Sequence, residues 1–174
     1  RADRALREAQ RTSAVSYVVG TDKAPAITAT DNAERLRSAL TGQRLVLHAQ
    51  PVCRVNDGAV LHHEILARIA TPDGLVPAGA FLPGSEREGL AQALDRAVLA
   101  TLFASPGAGK LQALAVNLSP SSISNPGFRA WLRQELAQRP ALAARLSLAL
   151  PEYGAGQNLD ALRDFAREVR AMGT

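Results

Sequence analysis

The sequence predicts an α/β fold of the β/α-barrel type, and three observations predict it. Strand-like runs alternate with amphipathic helical runs along most of the chain, the pattern from which βα units are built. The segment His62-His63-Glu64-Ile65-Leu66-Ala67-Arg68-Ile69 alternates with a period of two. Val60, His62, Glu64, Leu66 and Arg68 share one face, while Leu61, His63, Ile65, Ala67 and Ile69 share the other. The preceding run alternates likewise, with Val46, His48 and Gln50 set against Leu45, Leu47 and Ala49. A surface strand gives the same alternation in isolation. Two neighbouring strands that both carry polar groups near their C-terminal ends instead fit a barrel, where those ends hold ligands and catalytic groups.

Taken in order, residues 1–10 read as a helix, with Ala2, Ala5, Leu6 and Ala9 at helical spacing, and Ser16-Tyr17-Val18-Val19 as a short strand. A linker containing Pro25 follows, over residues 23–30. Asp31 is placed to cap a helix running through Leu40, because its carboxylate accepts from the orphan amides of a first turn. That helix leads into the strand ending at Gln50. Asn56-Asp57-Gly58 is a tight-turn signal, so the first two strands are expected to form an antiparallel hairpin.

Thr71-Pro72-Asp73-Gly74 marks another turn. A helix from Glu86 to Ala104 is expected to bury Leu90, Leu94, Ala97, Val98 and Leu102 along one stripe, and Ser105-Pro106-Gly107 ends it. The next strand, Leu111–Leu118, sets Ala113, Ala115 and Asn117 against Leu114, Val116 and Leu118. Asn125-Pro126 is a cap followed by proline at the first helical position, and Phe128, Trp131, Leu132 and Leu136 supply the buried stripe. Leu146–Leu150 is a strand. The last helix, Leu159–Met172, turns Leu162, Phe165, Ala166, Val169 and Met172 inward.

Composition bounds the function. At 174 residues and 47% hydrophobic content the chain can bury a sizeable core. No apolar run reaches the roughly 18 to 20 residues of a membrane span, and no secretory signal opens the sequence, so the segment is expected to be soluble. The single Cys53 has no disulfide or metal partner at the usual spacings, fits a reducing compartment, and reads as a small residue packed at a strand end. A net charge of +4 suits an anionic ligand. The arginines are scattered along amphipathic helices without an aromatic-studded basic strip, so nucleic acid is not an expected partner.

Gln50-Pro51-Val52, Glu64-Ile65-Leu66-Ala67-Arg68, Phe81-Leu82-Pro83 with Glu86 and Gly89-Leu90, and Val116-Asn117-Leu118-Ser119 resemble, in order and spacing, the EAL domain of cyclic di-GMP signalling. Glu64-Ile65-Leu66 stands where that family has its name-giving Glu-Ala-Leu. The resemblance implies a TIM-like (β/α)8 barrel with an antiparallel first strand, in agreement with the turn chemistry, and only about its first half is present. Residues 31–174 then form the N-terminal portion of an EAL domain. Residues 1–22, through Ala2-Asp3-Arg4-Ala5-Leu6, Ala9 and the strand after them, resemble the end of a GGDEF domain.

Active EAL enzymes hydrolyse cyclic di-GMP with a pair of divalent cations, magnesium or manganese, which clamp the attacking and leaving oxygens. The resemblance places Glu64 and Asn117 at metal-ligand positions. In Leu146-Ser147-Leu148-Ala149-Leu150-Pro151-Glu152, it places Ala149 where a ligating carboxylate belongs and Glu152 at a loop-positioning glutamate. A methyl group cannot ligate a cation, so the domain is expected to be degenerate, without catalytic residues or bound metal. Binding can survive that loss. Arg68 offers paired donors to a phosphate, Gln50 a donor and an acceptor to a guanine edge, and Leu66 an apolar contact, beside Glu64 and Asn117. Simpler readings stand next to these: an Arg68–Glu64 salt bridge, Asn117 as a buried hydrogen-bonding residue, and His62 and His63 as packing residues on opposite faces.

His62-His63-Glu64-Ile65-Leu66-Ala67-Arg68, Phe81-Leu82-Pro83 and Leu94-Asp95-Arg96 are similar to the LapD-type branch, whose degenerate GGDEF and EAL domains sense cyclic di-GMP at the inner membrane. This implies a catalytically inactive receptor domain in transmembrane signalling that controls adhesion and biofilm. It would be a cytoplasmic part of an inner-membrane protein that also carries a GGDEF-like domain and pairs as a homodimer through its EAL domains. Two alternatives stay open: an active metal-dependent cyclic di-GMP phosphodiesterase, and a structural or dimerisation module that binds nothing.

Overall fold

The computed structural model describes residues 29–150 and 159–174. The helix and strand expected within residues 1–22, the linker up to residue 28, and Glu152 lie outside the described residues.

The described residues open with helix α1 (Ala29–Thr41) and the hairpin β1 (Leu45–Cys53) and β2 (Val60–Thr71). The hairpin is antiparallel, as the turn signal predicts, with Gln50 opposite Glu64, His48 opposite Leu66 and Val46 opposite Arg68. Between the strands, the Asp57 carboxylate accepts from the Ala59 amide at 3.0 Å and Gly58 takes a left-handed φ of 71°, which favours glycine. β2 turns again at Thr71–Gly74 into a four-residue strand, β3 (Gly74–Pro77), which pairs antiparallel with the C-terminal end of β2. The N-terminal half of β2 pairs in parallel with β4 (Leu114–Asn117), and β4 in parallel with β5 (Leu146–Ala149). An antiparallel first strand followed by parallel βα units makes the fold α/β and barrel-like.

Helices α2 (Ala78–Arg87), α3 (Ala91–Ala104), α4 (Pro120–Ile123), α5 (Pro126–Ala137), α6 (Pro140–Ala143) and α7 (Leu159–Arg170) complete the order. One face of the sheet carries Ile65, Ala67, Ile69, Leu114, Val116 and Leu146, which pack into a single core with Leu36, Phe81, Leu94, Leu99, Phe128, Leu132 and Phe165 of the helices. This is the apolar face that the period-of-two reading assigns to β2 and β4. The opposite face holds the polar residues. Burying one such face is worth about 25 cal/mol for each Å² of apolar area removed from water, and it fixes the strand register, because a one-residue slip would turn every core side chain outward.

Four local expectations change. Helix α1 begins at Ala29, so Asp31 stands inside its first turn rather than at the cap. The helix expected over Glu86–Ala104 is two helices: Gly89, at φ 67°, closes α2 with the Leu90 amide on the Ser85 carbonyl and the Gly89 amide on the Glu86 carbonyl. That is the hydrogen-bond pattern of a glycine-terminated helix, and α3 starts afresh at Ala91. The strand expected from Leu111 begins only at Leu114, because Leu111 ends the 3-10 turn Pro106–Lys110. Cys53 is exposed where the hairpin register shifts between Val52 and Cys53, not packed. The Asn125 side chain does cap α5, accepting from the Phe128 amide at 2.9 Å.

Candidate functional site

The polar face of the sheet gathers Gln50, Glu64, Leu66, Arg68 and Asn117. Gln50 and Glu64 are register partners on β1 and β2, and side chains directly opposite one another on an antiparallel pair lie on one face. Leu66 and Arg68 follow Glu64 on that face at the strand's two-residue repeat, about 6–7 Å per step. β4 brings Asn117 alongside: its side-chain amide donates to Glu64 Oε1 at 2.8 Å. Gln50 and Asn117 are exposed, and Glu64, Leu66 and Arg68 are half-buried.

Arg68 turns its guanidinium to the Ala67 carbonyl, Nη1 donating at 2.9 Å. No ion pair joins Arg68 to Glu64 among the described residues, which removes the simplest structural account of the two charges. His62 and His63 point to opposite faces. His62 faces Val52 across the hairpin, and His63 pairs in register with Leu114 and has a buried Nδ1 without a partner. The two imidazoles do not converge on any common ligand.

Ala149 is the register partner of Asn117 on β5, and its carbonyl accepts the Leu118 amide at 2.8 Å. Its side chain therefore stands beside the Asn117 amide on the polar face. Glu64 brings one carboxylate, Asn117 one amide, and Ala149 no donor atom. Among the described residues no group of three His, Cys, Asp or Glu side chains could hold a metal ion. A pair of hard divalent cations needs several oxygen ligands each; of the three positions, Glu64 and Asn117 can each offer an oxygen and Ala149 none.

One group at the site is missed by the sequence reading. Asp95 of α3 is buried directly behind the end of β4. Its Oδ2 accepts from the Ser119 amide, the Ser119 hydroxyl and the Ser122 hydroxyl, each at 2.7 Å. Burial pushes its carboxyl above the ordinary carboxylate range, the three hydrogen bonds oppose that shift, and Glu86 adds to it. Ser119 in turn caps α4, its Oγ accepting from the Ser122 amide. The available signal was positional: Asp95 sits three and four residues from Val98 and Leu99 on the buried side of a helix, where an unpaired carboxylate is costly.

The family model of the EAL domain matches residues 33–174. The chain is 31% identical over 144 residues to the bifunctional diguanylate cyclase/cyclic di-GMP phosphodiesterase MucR of Pseudomonas aeruginosa, covering 79% of this chain and 21% of that protein. It is 29% identical to the FimX EAL domain of Xanthomonas citri, solved in complex with c-diGMP, over 87% of this chain and 60% of that one, with a TM-score of 0.69. The Vibrio cholerae LapD S helix-GGDEF-EAL structure superposes on 99% of this chain and 42% of its own, with a TM-score of 0.77, and at 22% identity it bears on the fold alone. The chain spans about a fifth of the length of the curated relatives it matches.

Proposed function

The chain belongs to the EAL domain family, and from that premise we propose that it binds cyclic di-GMP without hydrolysing it, as the sensing domain of a receptor. The observation that carries the proposal is Ala149 beside Asn117: a retained binding face next to a vacated ligand position. Arg68 matches a phosphate, because a guanidinium makes paired, charge-assisted hydrogen bonds to its oxygens. Gln50 matches a guanine edge with one donor and one acceptor, and Leu66 supplies apolar contact. Glu64 and Asn117 are joined at 2.8 Å, and on this reading binding needs neither magnesium nor manganese.

Glu152 belongs, on this reading, to the loop that shapes the site. Residues 1–22 end a GGDEF-like domain of the same protein, and pairing of EAL domains in a homodimer gives the signal a route outward, across the inner membrane to a system controlling adhesion. No helix among the described residues is long and apolar enough to cross a membrane. Ligand would act by shifting the population between two states for which it has different affinities.

The retained Glu64 and Asn117 favour one rival, a metal-dependent phosphodiesterase in which another carboxylate replaces the one missing at Ala149. The absent Arg68–Glu64 ion pair weighs against a module that binds nothing. Incubating the full-length protein with radiolabelled cyclic di-GMP and manganese separates these. Retained, intact ligand supports the receptor, linear dinucleotide product supports the enzyme, and no retention supports the scaffold.

A further inference from the structure

Asn117 can meet Glu64 only if the end of β4 is held in one orientation, and the structure shows what holds it. On one side the Leu118 amide is tied to Ala149 on β5 at 2.8 Å. On the other, the Ser119 amide and hydroxyl are tied to Asp95 at 2.7 Å, 24 residues away on α3. Ser122 adds a third donor to the same oxygen, so the first turn of α4 is clamped as well. Asp95 is only 7% exposed and lies in the wall that backs the polar face. A cavity of about 80 Å³ is bounded by Asp95, Asn117 and Leu66, with Phe81 and Val98 completing that side.

We propose that Asp95 is a positioning residue for Asn117: by gathering three donors of the β4–α4 connection it fixes the direction in which Asn117 presents its amide to Glu64 and to ligand. Its consequence for ligand rests on the receptor reading above; its consequence for Asn117 does not. A carboxylate suits the task better than a neutral acceptor, since hydrogen bonds to an ionised oxygen are shorter and roughly twice as strong. A buried carboxylate with three donors also tolerates little displacement, because any lost donor leaves charge uncompensated in a dry site. In metal sites, side chains that orient a ligand from behind cost about 10–100-fold in affinity or activity when removed, and the lower end of that range is the expectation here.

The test uses the full-length protein and two readouts, the NMR resonance of the Asn117 side-chain amide and the affinity for cyclic di-GMP. Leu132→Ala, a core change on α5, serves as a control for lost stability alone. Asp95→Ala should shift the Asn117 amide and weaken binding about tenfold, while Leu132→Ala moves neither. If the alanine variant does not fold, Asp95→Asn carries the test: it keeps the shape and one acceptor, and should produce a smaller shift in the same sense. An Asn117 resonance and an affinity unchanged in the Asp95 variants would overturn the proposal. Should the unaltered protein fail to bind, the receptor reading falls, and the Asn117 resonance alone decides the role of Asp95.

Discussion

The Asn117 side-chain amide donates to Glu64 Oε1 at 2.8 Å, joining the end of β4 to the middle of β2 across 53 residues of sequence. Here one satisfies the other, and the neighbouring position on β5 is Ala149. Glu64 and Asn117 are thus joined by an amide-to-carboxylate hydrogen bond, worth more than one between neutral groups.

Restoring a carboxylate next to that pair should reverse the arrangement. Ala149→Glu puts a second anionic group beside Asn117, and the two carboxylates then favour a shared cation over their mutual repulsion. Manganese should raise the unfolding midpoint of Ala149→Glu and leave that of the unaltered protein where it is. Equal responses to manganese would mean that position 149 is not part of a cation site.

Removing the guanidinium tests the phosphate contact separately. Among the described residues Arg68 makes no ion pair and one hydrogen bond, to its neighbour's carbonyl, so Arg68→Ala should leave folding nearly untouched. Affinity for cyclic di-GMP should fall about tenfold or more, and Arg68→Lys should recover only part of it, because an ammonium cannot match the planar pair of donors. Full recovery by lysine would reduce Arg68 to a point charge.

The cap of α5 gives a prediction about stability alone. Asn125 accepts from the Phe128 amide at 2.9 Å, ahead of Pro126 at the first helical position. Asn125→Ala should cost about 1 kcal/mol of unfolding free energy in denaturant titrations, and Asn125→Asp less than half of that. Leu132→Ala, which empties a fully buried position on the same helix, should cost about 2–5 kcal/mol. A cap variant costing as much as the core variant would contradict this division.

Acid sensitivity divides between two carboxylates of opposite sign. Arg129 of α5 bonds Glu168 of α7 and holds its carboxyl below the ordinary range, so the folded state binds fewer protons there. The stability from this pair is present above the unfolded pKa and disappears as pH falls through the lowered folded value. Asp95 runs the other way: its raised folded pKa makes its contribution fully present below the ordinary carboxylate value and lost as pH rises through the raised one. In unfolding midpoints measured across the carboxylate range, Glu168→Gln should flatten the loss of stability on acidification, and Asp95→Asn should steepen it. Profiles parallel to that of the unaltered protein would refute both assignments.

The hairpin and its two faces were readable in the sequence, because Asn56-Asp57-Gly58 signals a turn and alternation at a period of two admits only one way to bury Ile65, Ala67 and Ile69. The stripe of α5 and its Asn125 cap were readable for a similar reason, since each depends on residues within one or two turns. What was not readable depends on distant partners. β3 is four residues whose pairing with β2 has no periodic signature. The break at Gly89 needs the left-handed closure of α2 to be distinguished from a glycine tolerated inside a longer helix. Asp95 looks like one more charge on an amphipathic helix until Ser119 and Ser122 are brought to it from 24 and 27 residues away. Ala149 could be named from its motif, but that it stands beside Asn117 is a fact of the β4–β5 register.

The most direct measurement is calorimetric titration of cyclic di-GMP into the full-length protein, once with magnesium and once with chelator, with the dinucleotide analysed at the end of each run. The same affinity is expected in both, with intact ligand in both. Binding that disappears with chelator, or linear product in the magnesium run, would contradict it.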